Sequence, residues 1–402
     1  MNNAINNENK KLNVPNLRFP EFQGEWEKQK LCDISSIVGR IGFRGYTTND
    51  IVEKGMGAIA LSPTNIVNNQ LTYDKDNTYI SMSKYEESPE IMIKQGDVIF
   101  VKTGSTVGKV AYVDKLICKT TLNPQVVVLK DIKCDNYILS VIMSTRKFQN
   151  KIQRITVGGA VPTLSQVAMG NIFISLPTAK EQEKISKFIS LLDERIATQN
   201  KIIEKMQTLI KGIVDSTILR KEKNAIVGDV CSISEQIRAE ANIDDIITVR
   251  LHGNGVCKSS AENLQLGATQ YYRRRAGQLI YGKQNFHNGA IGIVPISLDN
   301  GITSKDIPSF DIDEMKCNSV YLLAQLQSPQ YYKPAEALTT GTGSKRLKEE
   351  TFLKMPIVLP NKREQDNIAT LIISISANLD QAKKMLDLFS IQKQYLLRQM
   401  FI

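Results

Sequence analysis

Residues 176–217 read LPTAKEQEKISKFISLLDERIATQNKIIEKMQTLIKGIVDST, and residues 359–400 read LPNKREQDNIATLIISISANLDQAKKMLDLFSIQKQYLLRQM. In both stretches apolar residues recur alternately every four and three positions. A period of 3.5 residues, sustained over several heptads, is typical of helices that pair as a coiled coil. The sequence therefore predicts two long helices of the same type.

The two predicted seams contain few polar residues. They consist of Ile185, Ile189, Leu192, Ile196, Gln199, Ile203, Met206, Ile210, Ile213 and Thr217 in the first helix, and Ile368, Ile372, Ile375, Leu379, Ala382, Leu386, Phe389, Lys393, Leu396 and Met400 in the second. Helices of roughly 40 residues would be about 60 Å long and need a partner along that length. We favour antiparallel pairing of the two helices, with Gln199 and Lys393 as polar positions that could set the register. The alternative is that each helix packs against its own globular domain.

Each helix is predicted to start just after a Leu-Pro pair. Thr178 or Asn361 follows the proline and can serve as the N-cap residue. Glu181 or Glu364, three residues later, can complete a capping box.

The Leu-Pro pairs belong to a longer internal repeat. A shift of 183 residues (359 − 176) places residues 158–177 over 341–360, and both segments read as a glycine turn, a polar stretch and a short apolar run. With a slightly different shift (277 − 96 = 181), residues 96–113 resemble 277–294, and at the beginning of each copy residues 30–37 resemble 226–233. The chain is therefore predicted to contain two copies of one unit, each a globular part followed by a long helix.

Composition excludes several protein classes. The 402 residues carry 51 Lys and Arg against 41 Asp and Glu, a net charge of +10, and 42% are hydrophobic, as in ordinary globular proteins of two or three domains. The sequence has no apolar stretch long enough for a membrane span and no apolar signal core near its first residue, so we expect a cytoplasmic protein. The six cysteines lack the spacing of a zinc site, and we expect buried free thiols.

The globular parts are rich in short β-like runs separated by Gly, Asn and Asp turns. The predicted fold class is α+β: two similar α/β domains joined by two long helices that form an antiparallel coiled coil with pseudo-twofold symmetry. The predicted limits are 1–176 for the first domain, 177–224 for the first helix, 225–359 for the second domain and 360–402 for the second helix. The clearest predicted strands are Asp97–Lys102, Lys109–Val113, Val126–Leu129, Leu279–Gly282 and Ile291–Pro295.

Cationic and hydrogen-bonding side chains gather at turns in both copies. Such side chains can hold phosphates or read base edges, although solvated loop charge is the alternative for any single residue. The candidate DNA-binding residues are Arg40, Arg44, Lys102, Thr103, Ser105, Thr106 and Lys109 in the first domain, and Arg273, Arg274, Arg275, Lys283, Gln284, Asn285, Lys345 and Arg346 in the second. Arg, Gln and Asn are expected to read bases, and Lys, Ser and Thr to contact phosphates.

Enzyme motifs fit the sequence poorly. The segment GSTVGK at 104–109 has the wrong glycine spacing for a P-loop and precedes a β-like run. The sequence contains no Gly-x-Gly-x-x-Gly fingerprint, no methyltransferase Asn/Asp-Pro-Pro-aromatic motif and no His-Glu-x-x-His. Asp311, Glu314 and Lys316 only weakly suggest a nuclease cluster. We expect no catalytic residues and no bound metal in this chain.

Over essentially its whole length, the chain resembles the specificity subunit of a type I restriction-modification enzyme. The resemblance rests on the opening Val14–Phe22 (VPNLRFPEF) with Trp26, on Gly96–Ile99 with its TGSTVG turn, and on the repeated Leu-Pro…Glu-Gln helix start. It implies two target-recognition domains that each read half of a bipartite, asymmetric site in double-stranded DNA. It also implies two methyltransferase subunits and two restriction subunits as partners in the bacterial cytoplasm, with S-adenosylmethionine, ATP and Mg²⁺ on those partners.

Two alternatives remain at the level of sequence. The chain could be a coiled-coil adaptor that binds only proteins, or a stand-alone nuclease or methyltransferase, against which the missing motifs argue. If the helices measure the distance between half-sites, four residues inserted into both should lengthen the spacer by roughly two base pairs. Because the two copies differ in most loop residues, the half-sites should differ in sequence.

Overall fold

The computed structural model describes residues 12–73, 76–259, 269–341 and 345–402. The chain divides into two compact units. Unit 1 consists of Met1–Ala197 and Asp387–Ile402, and unit 2 of Thr198–Leu386. The predicted domain limits lie at the ends of the long helices, whereas the boundaries of the compact units lie inside them. Each unit therefore contains a segment of both long helices.

Unit 1 contains eleven short strands among its described residues, with helices placed mainly after the last strands of its large sheet. The strands are β1 (Glu27–Lys30), β2 (Ser36–Gly39), β3 (Ala58–Leu61), β4 (Ile66–Val67), β5 (Gln70–Leu71), β6 (Thr78–Ile80), β7 (Val98–Val101), β8 (Val110–Tyr112), β9 (Thr120–Leu122), β10 (Val126–Lys130) and β11 (Phe173–Leu176). The helices are α1 (Leu31–Ile34), α2 (Met82–Glu86), α3 (Asn136–Ser144), α4 (Arg146–Ile155), α5 (Gln166–Gly170) and α6 (Ala179–Val214), with 3₁₀ helices at Gly42–Arg44, Thr48–Asp50, Pro63–Asn65 and Pro89–Ile91.

The strands of unit 1 form three sheets. Six strands pair in the order β2-β10-β7-β8-β5-β4, three in the order β6-β3-β9, and β1 pairs with β11. Strands β7 and β10 are buried on both faces, which explains why they read as continuous runs of Val, Ile, Phe and Leu. One face packs against α3, α4 and the long helices, and the other contacts the β3 side chains Ile59 and Leu61.

Unit 2 has the same kinds of element with shorter helices. Its strands are β12 (Ala225–Ile226), β13 (Cys231–Ile233), β14 (Arg238–Ala239), β15 (Ile247–Val249), β16 (Val256–Lys258), β17 (Tyr271–Arg273), β18 (Leu279–Tyr281), β19 (Ile291–Ile293), β20 (Ile302–Ser304), β21 (Ser309–Ile312) and β22 (Pro356–Ile357). Its helices are the end of α6 with a π-helical turn at Asp215–Leu219, α7 (Ser319–Leu326), α8 (Pro329–Tyr332), α9 (Glu349–Leu353) and the first part of α10 (Lys362–Met400), whose last part belongs to unit 1. Its 3₁₀ helices are Val227–Asp229, Ile243–Asp245, Phe286–Asn288, Ile296–Leu298 and Lys333–Leu338.

The internal repeat is visible in the sheet topology. Unit 1 contains the antiparallel order β2-β10-β7-β8, and unit 2 contains β13-β21-β18-β19, in which each strand matches its counterpart in chain order. The small pair β1-β11 likewise matches β12-β22. The predicted duplication is therefore confirmed at the level of strand pairing.

The repeated Gln of the helix start makes the same contacts in both units. Gln182 Nε2 donates to Pro177 O at 2.8 Å, and its Oε1 accepts from Asp135 N at 2.8 Å. Gln365 bonds to Pro360 O and Asn318 N at the same two distances. Since Asp135 and Asn318 are the N-cap residues of α3 and α7, each Gln ties the start of a long helix to the start of a short one.

The capping box predicted at these helix starts is only partly found. Asn361 Oδ1 accepts from Glu364 N at 3.0 Å, as an N-cap residue should. The glutamates, however, have other partners. Glu181 is fully buried, accepts two 2.7 Å hydrogen bonds from Arg18 and one of 3.3 Å from Trp26, and thereby anchors the opening segment of the chain. Glu364 pairs with Lys221.

Antiparallel pairing of the two long helices is confirmed within each unit. In unit 1 the first turns of α6, with Ile185 and Ile189, share a core with Leu396 and Met400 at the end of α10. In unit 2 the end of α6, with Val214, shares a core with Ile368 and Ile372 at the start of α10. The same ends also pack on the globular parts, so the two predicted alternatives coexist. Every seam position predicted from the sequence is buried or half-buried.

Both polar seam residues contact the opposite helix. In unit 2, Gln199 Nε2 donates to Ala382 O at 3.0 Å, and in unit 1 Lys393 forms an ion pair with Asp193.

The prediction that the thiols are buried is wrong for Cys32 and Cys118, which are exposed. Among the helices of the described residues, none combines the length and apolar character that a membrane span requires.

Candidate nucleic-acid interface

In unit 1 the turn after β7 is fixed by a hairpin that follows α4. Lys102 N donates to Gln125 O at 2.9 Å, and Lys102 O accepts from Leu164 N at 2.8 Å. Gly104 N donates to Pro162 O at 2.9 Å. The side chains of Ser105 and Lys109 are exposed, and Val161 at the hairpin tip is 59% exposed. We call residues 102–109 together with 156–164 the turn–hairpin surface of unit 1.

Unit 2 repeats this arrangement. Leu347 N donates to Lys283 O at 2.9 Å, which matches the bond from Leu164 to Lys102. Thr340 and Arg346 exchange backbone hydrogen bonds of 3.0 and 2.9 Å, as Val157 and Thr163 do in unit 1 at 3.0 and 2.8 Å. Residues 283–290 with 340–341 and 345–347 form the turn–hairpin surface of unit 2.

A glycine in each turn allows a side chain of a nearby helix to pack directly against the turn backbone. Gly108 has φ +100°, and a Cβ built there would lie 2.3 Å from Oε1 of Gln149 on α4. Gly289 has φ +75°, and its Cβ would lie 2.8 Å from the ring of Tyr332 on α8. Only glycine fits both the positive φ and the contact, so the backbone of both turns is fixed in the same way.

The exposed chemistry of the two surfaces differs. Unit 1 presents hydroxyls and Lys109 beside the exposed apolar hairpin tip. Unit 2 presents the exposed Gln284 and Asn285, and its cations stand beside carboxylates: Lys283 and Glu349 are 2.6 Å apart, and Arg346 and Asp306 are 3.3 Å apart. The carboxylates partly neutralise the positive charge of Lys283 and Arg346. The exposed amides of Gln284 and Asn285 are hydrogen-bond donors and acceptors suited to base edges.

Comparison with known proteins agrees with this geometry. Residues 23–208 match the model of the type I restriction modification DNA specificity domain. The chain is 22% identical over 325 residues to the type I restriction enzyme MjaVIII specificity subunit of Methanocaldococcus jannaschii, covering 73% of this chain and 75% of that protein. The crystal structure of the type I restriction-modification S subunit from M. genitalium has the same fold, with a TM-score of 0.59, 12% identity, and coverage of 97% of this chain and 99% of that one.

The chain therefore contains a type I restriction modification DNA specificity domain over residues 23–208, and it is similar over most of its length to type I specificity subunits. A second solved chain, from work on complex assembly and conformational transition of the type I R-M system, has a TM-score of 0.50 and 14% identity, covering 92% of this chain and 96% of that one. These similarities support a role in DNA sequence recognition, and the adaptor alternative is not favoured.

Arg40, a predicted base reader, is buried. Its Nε donates to Leu122 O at 2.8 Å, and its two Nη atoms donate to Thr121 Oγ1 and Arg44 O, both at 3.2 Å. Burial lowers the pKa of Arg40. Because Arg40 follows β2 and its partners Thr121 and Leu122 belong to β9, the guanidinium ties two sheets of unit 1 together. Arg44 is partly exposed and lies 3.5 Å from Glu90.

Arg274 has the same role in unit 2. It is fully buried and donates to Thr303 Oγ1 at 2.7 Å, Ser309 Oγ at 2.8 Å and Ile307 O at 2.9 Å. Burial lowers its pKa to about 10, so the side chain stays charged at neutral pH. Thr303 belongs to β20 and Ser309 to β21, so this guanidinium also joins two sheets. We therefore remove Arg40 and Arg274 from the set of proposed DNA contacts.

Arg273 and Arg275 are exposed but lie away from the turn–hairpin surface of unit 2. In the β17–β20 ladder Arg273 pairs with Ile302, whereas Ser304 and then Asp306 lie at the other end, where Asp306 O accepts from Lys283 N. The structure therefore brings together Lys283, Gln284, Asn285, Lys345 and Arg346 but separates them from Arg273 and Arg275.

Sequence reasoning missed the hairpin of unit 1 as a candidate, and it grouped Lys348 of unit 2 with the loop cations Lys345 and Arg346 without counting it among the candidate contacts. Lys348 is exposed and lines a cleft with Lys283, Arg346 and Glu349. The repeat contains the signal for the hairpin, since residues 157–163 align with 340–346, the segment that contains Lys345 and Arg346. GSTVGK leads into strand β8 rather than a helix, which confirms that it is not a P-loop.

Proposed function

We propose that each unit of this specificity subunit reads one half of a bipartite, asymmetric site in double-stranded DNA through its turn–hairpin surface. The observation that supports this proposal is the pair of surfaces itself. Both units build the same backbone junction of turn and hairpin, yet they display different side chains on it. One framework with two different displays suits recognition of two different half-sites.

The proposed contacts follow the chemistry of each surface. In unit 1 Lys102, Thr103, Ser105, Thr106 and Lys109 would hold phosphates, with the hairpin tip against the groove. In unit 2 Gln284, Asn285 and Arg346 would read base edges, since amide and guanidinium groups match adenine and guanine in the major groove. Lys283, Lys345 and Lys348 would contact phosphates.

The finer assembly is also part of the proposal. The specificity subunit would work in the bacterial cytoplasm with two methyltransferase and two restriction subunits. S-adenosylmethionine would bind to the methyltransferase subunits, and ATP and Mg²⁺ to the restriction subunits, so this chain would bind DNA but carry no catalytic residue.

The test is to co-express the chain with the neighbouring methyltransferase and to map methylated adenines across the genome. We expect two short, non-identical half-site sequences (words) separated by a spacer of fixed length. The variant Gln284→Ala should relax one base of a single word, whereas the variant pair Ser105→Ala and Thr106→Ala should lower occupancy of all sites alike. Lys54→Gln and Lys316→Gln, at exposed turns outside both surfaces, serve as matched controls. A palindromic target, or a Gln284→Ala variant that alters both words, would contradict the proposal.

A further inference from the structure

The internal repeat creates a pairing problem for the long helices. Because α6 and α10 are copies of one helix, α6 of one chain could pair with α6 of a second chain in the same antiparallel register. Apart from Gln199, Thr217 and Lys393, the seam residues are apolar in both copies, so most of the seam fits either partner almost equally well. Some other contact has to distinguish the two pairings.

A polar cluster in unit 1 supplies such a contact. Asp193 on α6 forms an ion pair with Lys393 on α10, and both side chains are 21% exposed. The hydroxyl of Tyr137 on α3 donates to the other carboxylate oxygen of Asp193 at 2.6 Å. The three side chains line one cleft of unit 1.

The equivalent positions of unit 2, all of them among the described residues, do not carry such a cluster. The repeat places Val320 at the position of Tyr137 (137 + 183), Ser376 at that of Asp193 (193 + 183) and Ile210 at that of Lys393 (393 − 183). Val320, Ser376 and Ile210 line one cleft of unit 2. The ion pair is therefore a feature of one unit rather than of the repeat.

The exchange of partners can be followed residue by residue. In a pair of two α6 helices, Asp193 would face Ile210 of the other copy. In a pair of two α10 helices, Lys393 would face Ser376. Both charges would then be half-buried without a counter-charge, which costs more than leaving the pair intact.

A second contact, in unit 2, favours the same pairing by size. Gln199 lies against Ala382, and these two positions are equivalent in the repeat (199 + 183 = 382). A pair of two α6 helices would bring two glutamines together, and a pair of two α10 helices two alanines. Large against small fits, whereas large against large is crowded and small against small leaves a void.

We propose that the Asp193–Lys393 ion pair, oriented by Tyr137, selects pairing of α6 with α10 of the same chain and disfavours a second copy of the chain as the partner. The matching sizes of Gln199 and Ala382 act in the same direction. The pair thus fixes which helix occupies the seam, beyond setting the register. This inference is independent of which DNA sequence the chain reads.

The test uses the full chain with a site-specific protease sequence inserted between Glu222 and Lys223, in an exposed stretch that follows α6. Cleavage of the folded protein gives a first piece that contains α6 and a second piece that contains α10. Cleaved protein is mixed with cleaved protein that carries a tag on the first piece, and the mixture is unfolded and refolded. Capture of an untagged first piece by the tagged one reports pairing of two α6 helices. For the natural sequence we expect capture of second pieces almost alone.

The decisive variant is Asp193→Ser with Lys393→Ile, which gives unit 1 the residues that unit 2 already packs. Whichever helices pair, these positions then place Ser against Ile. Replacing two α6–α10 pairs by an α6–α6 pair and an α10–α10 pair would no longer break two ion pairs, so we expect capture of first pieces to rise roughly tenfold. The matched control is Asp193→Lys with Lys393→Asp, which keeps an ion pair between α6 and α10 and should behave like the natural sequence.

Unchanged capture in the Ser/Ile variant would overturn the proposal, as would increased capture in the charge-reversed control. A double-mutant cycle in the uncleaved chain gives a measurement that does not depend on refolding of the pieces. The two single changes should be coupled by a factor of about four in the unfolding equilibrium. Additive effects would show that the two side chains do not act as a pair, and the proposal would be wrong.

Discussion

Unit 1 and unit 2 share a strand order but fill its core differently. In unit 2, Tyr281, Phe286, Phe310 and Phe352 form an aromatic cluster with ring centroids 4.7 to 5.7 Å apart. At the positions equivalent to Phe310 and Phe352, unit 1 has Val127 and Met169 (310 − 183 and 352 − 183), both buried. The contrast teaches that the framework depends on strand order and on a few tying contacts, while core side chains of different shape satisfy it equally well.

The contacts that join the sheets also differ between the units, although they have the same role. Each unit uses a buried arginine to join its three-stranded sheet to the sheet that contains the repeated strand order. In unit 1 Arg40 reaches from the larger sheet to β9, and in unit 2 Arg274 reaches from the three-stranded sheet to β21. The two residues are not aligned in the repeat, so the two units reached one solution from different positions.

The largest effect is expected from removing these arginines. Arg274→Met should cost about 4 kcal/mol, because four polar partners lose a charged donor in a fully buried site. Arg40→Met should cost about 2 kcal/mol, because that guanidinium is less buried and its hydrogen bonds are longer. Urea unfolding gives the magnitudes, and hydrogen-exchange mass spectrometry shows which unit loses protection. Arg273→Met, on an exposed neighbour, is the control, and equal costs for Arg40 and Arg274 would contradict the comparison.

The next largest difference in stability between the two units is expected from replacing the turn glycines Gly108 and Gly289. Gly289→Ala should cost about 3 kcal/mol, since its Cβ would lie 2.8 Å from the buried ring of Tyr332 and 3.1 Å from the backbone nitrogen of Gly253. Gly108→Ala should cost about 2 kcal/mol, because the terminal amide of Gln149 can turn away, at the loss of its hydrogen bonds to Gly108 O and Met143 O. Thermal unfolding of both variants checks the order. Gly255→Ala is the control, since Gly255 also has a positive φ (+74°) but a Cβ there would meet nothing, so its cost reports backbone strain without a clash.

The repeated glutamines should behave alike. Gln182→Ala and Gln365→Ala each remove the two shared 2.8 Å hydrogen bonds at the junction of a long and a short helix, and each should cost about 2 kcal/mol. Gln365→Ala also removes a longer bond of 3.2 Å to Lys316 O, which adds little. Since the two sites lie in different units, the double variant should show the sum of both costs. Equilibrium unfolding of the three variants tests this. A clearly larger cost at one site would show that the repeat does not preserve the energetic role of this contact.

The smallest effects concern DNA affinity. Lys109→Gln in unit 1 and Lys345→Gln in unit 2 should each weaken binding by about 1 kcal/mol on every sequence and reduce the salt slope by about 1. Binding of the complex with the methyltransferase to a target duplex, titrated over salt concentration, gives both numbers. Loss of discrimination between bases in either variant would mean that the lysine reads sequence rather than phosphate.

Several features could be predicted from the sequence because they are periodic or local. The 3.5-residue seam identified both long helices and their antiparallel pairing, and the 183-residue shift revealed the duplication that the sheets confirm. The strands β7, β8, β10, β18 and β19 lie within one or two residues of the predicted runs. Hydrophobic period and backbone turns are properties of neighbouring residues, so they can be read without knowing the fold.

The candidate interface could be predicted only in part. Lys283 and Arg346 meet because the repeat builds one junction twice, whereas nothing in the sequence distinguishes the buried Arg274 from its exposed neighbours Arg273 and Arg275. An arginine in a turn has the same local pattern whether it faces solvent or bridges two sheets. Its burial depends on strands far away in the chain.

The sequence by itself determined the two copies, the seam of the long helices and the absence of the enzyme motifs that we sought. The tertiary structure alone decided which arginines are internal, which hairpin supports each turn, and that each compact unit contains segments of both long helices. The physical reason is that periodicity follows from the geometry of a single helix or strand. Burial, ion pairing and the choice of partner are set by contacts between residues that lie far apart in the chain.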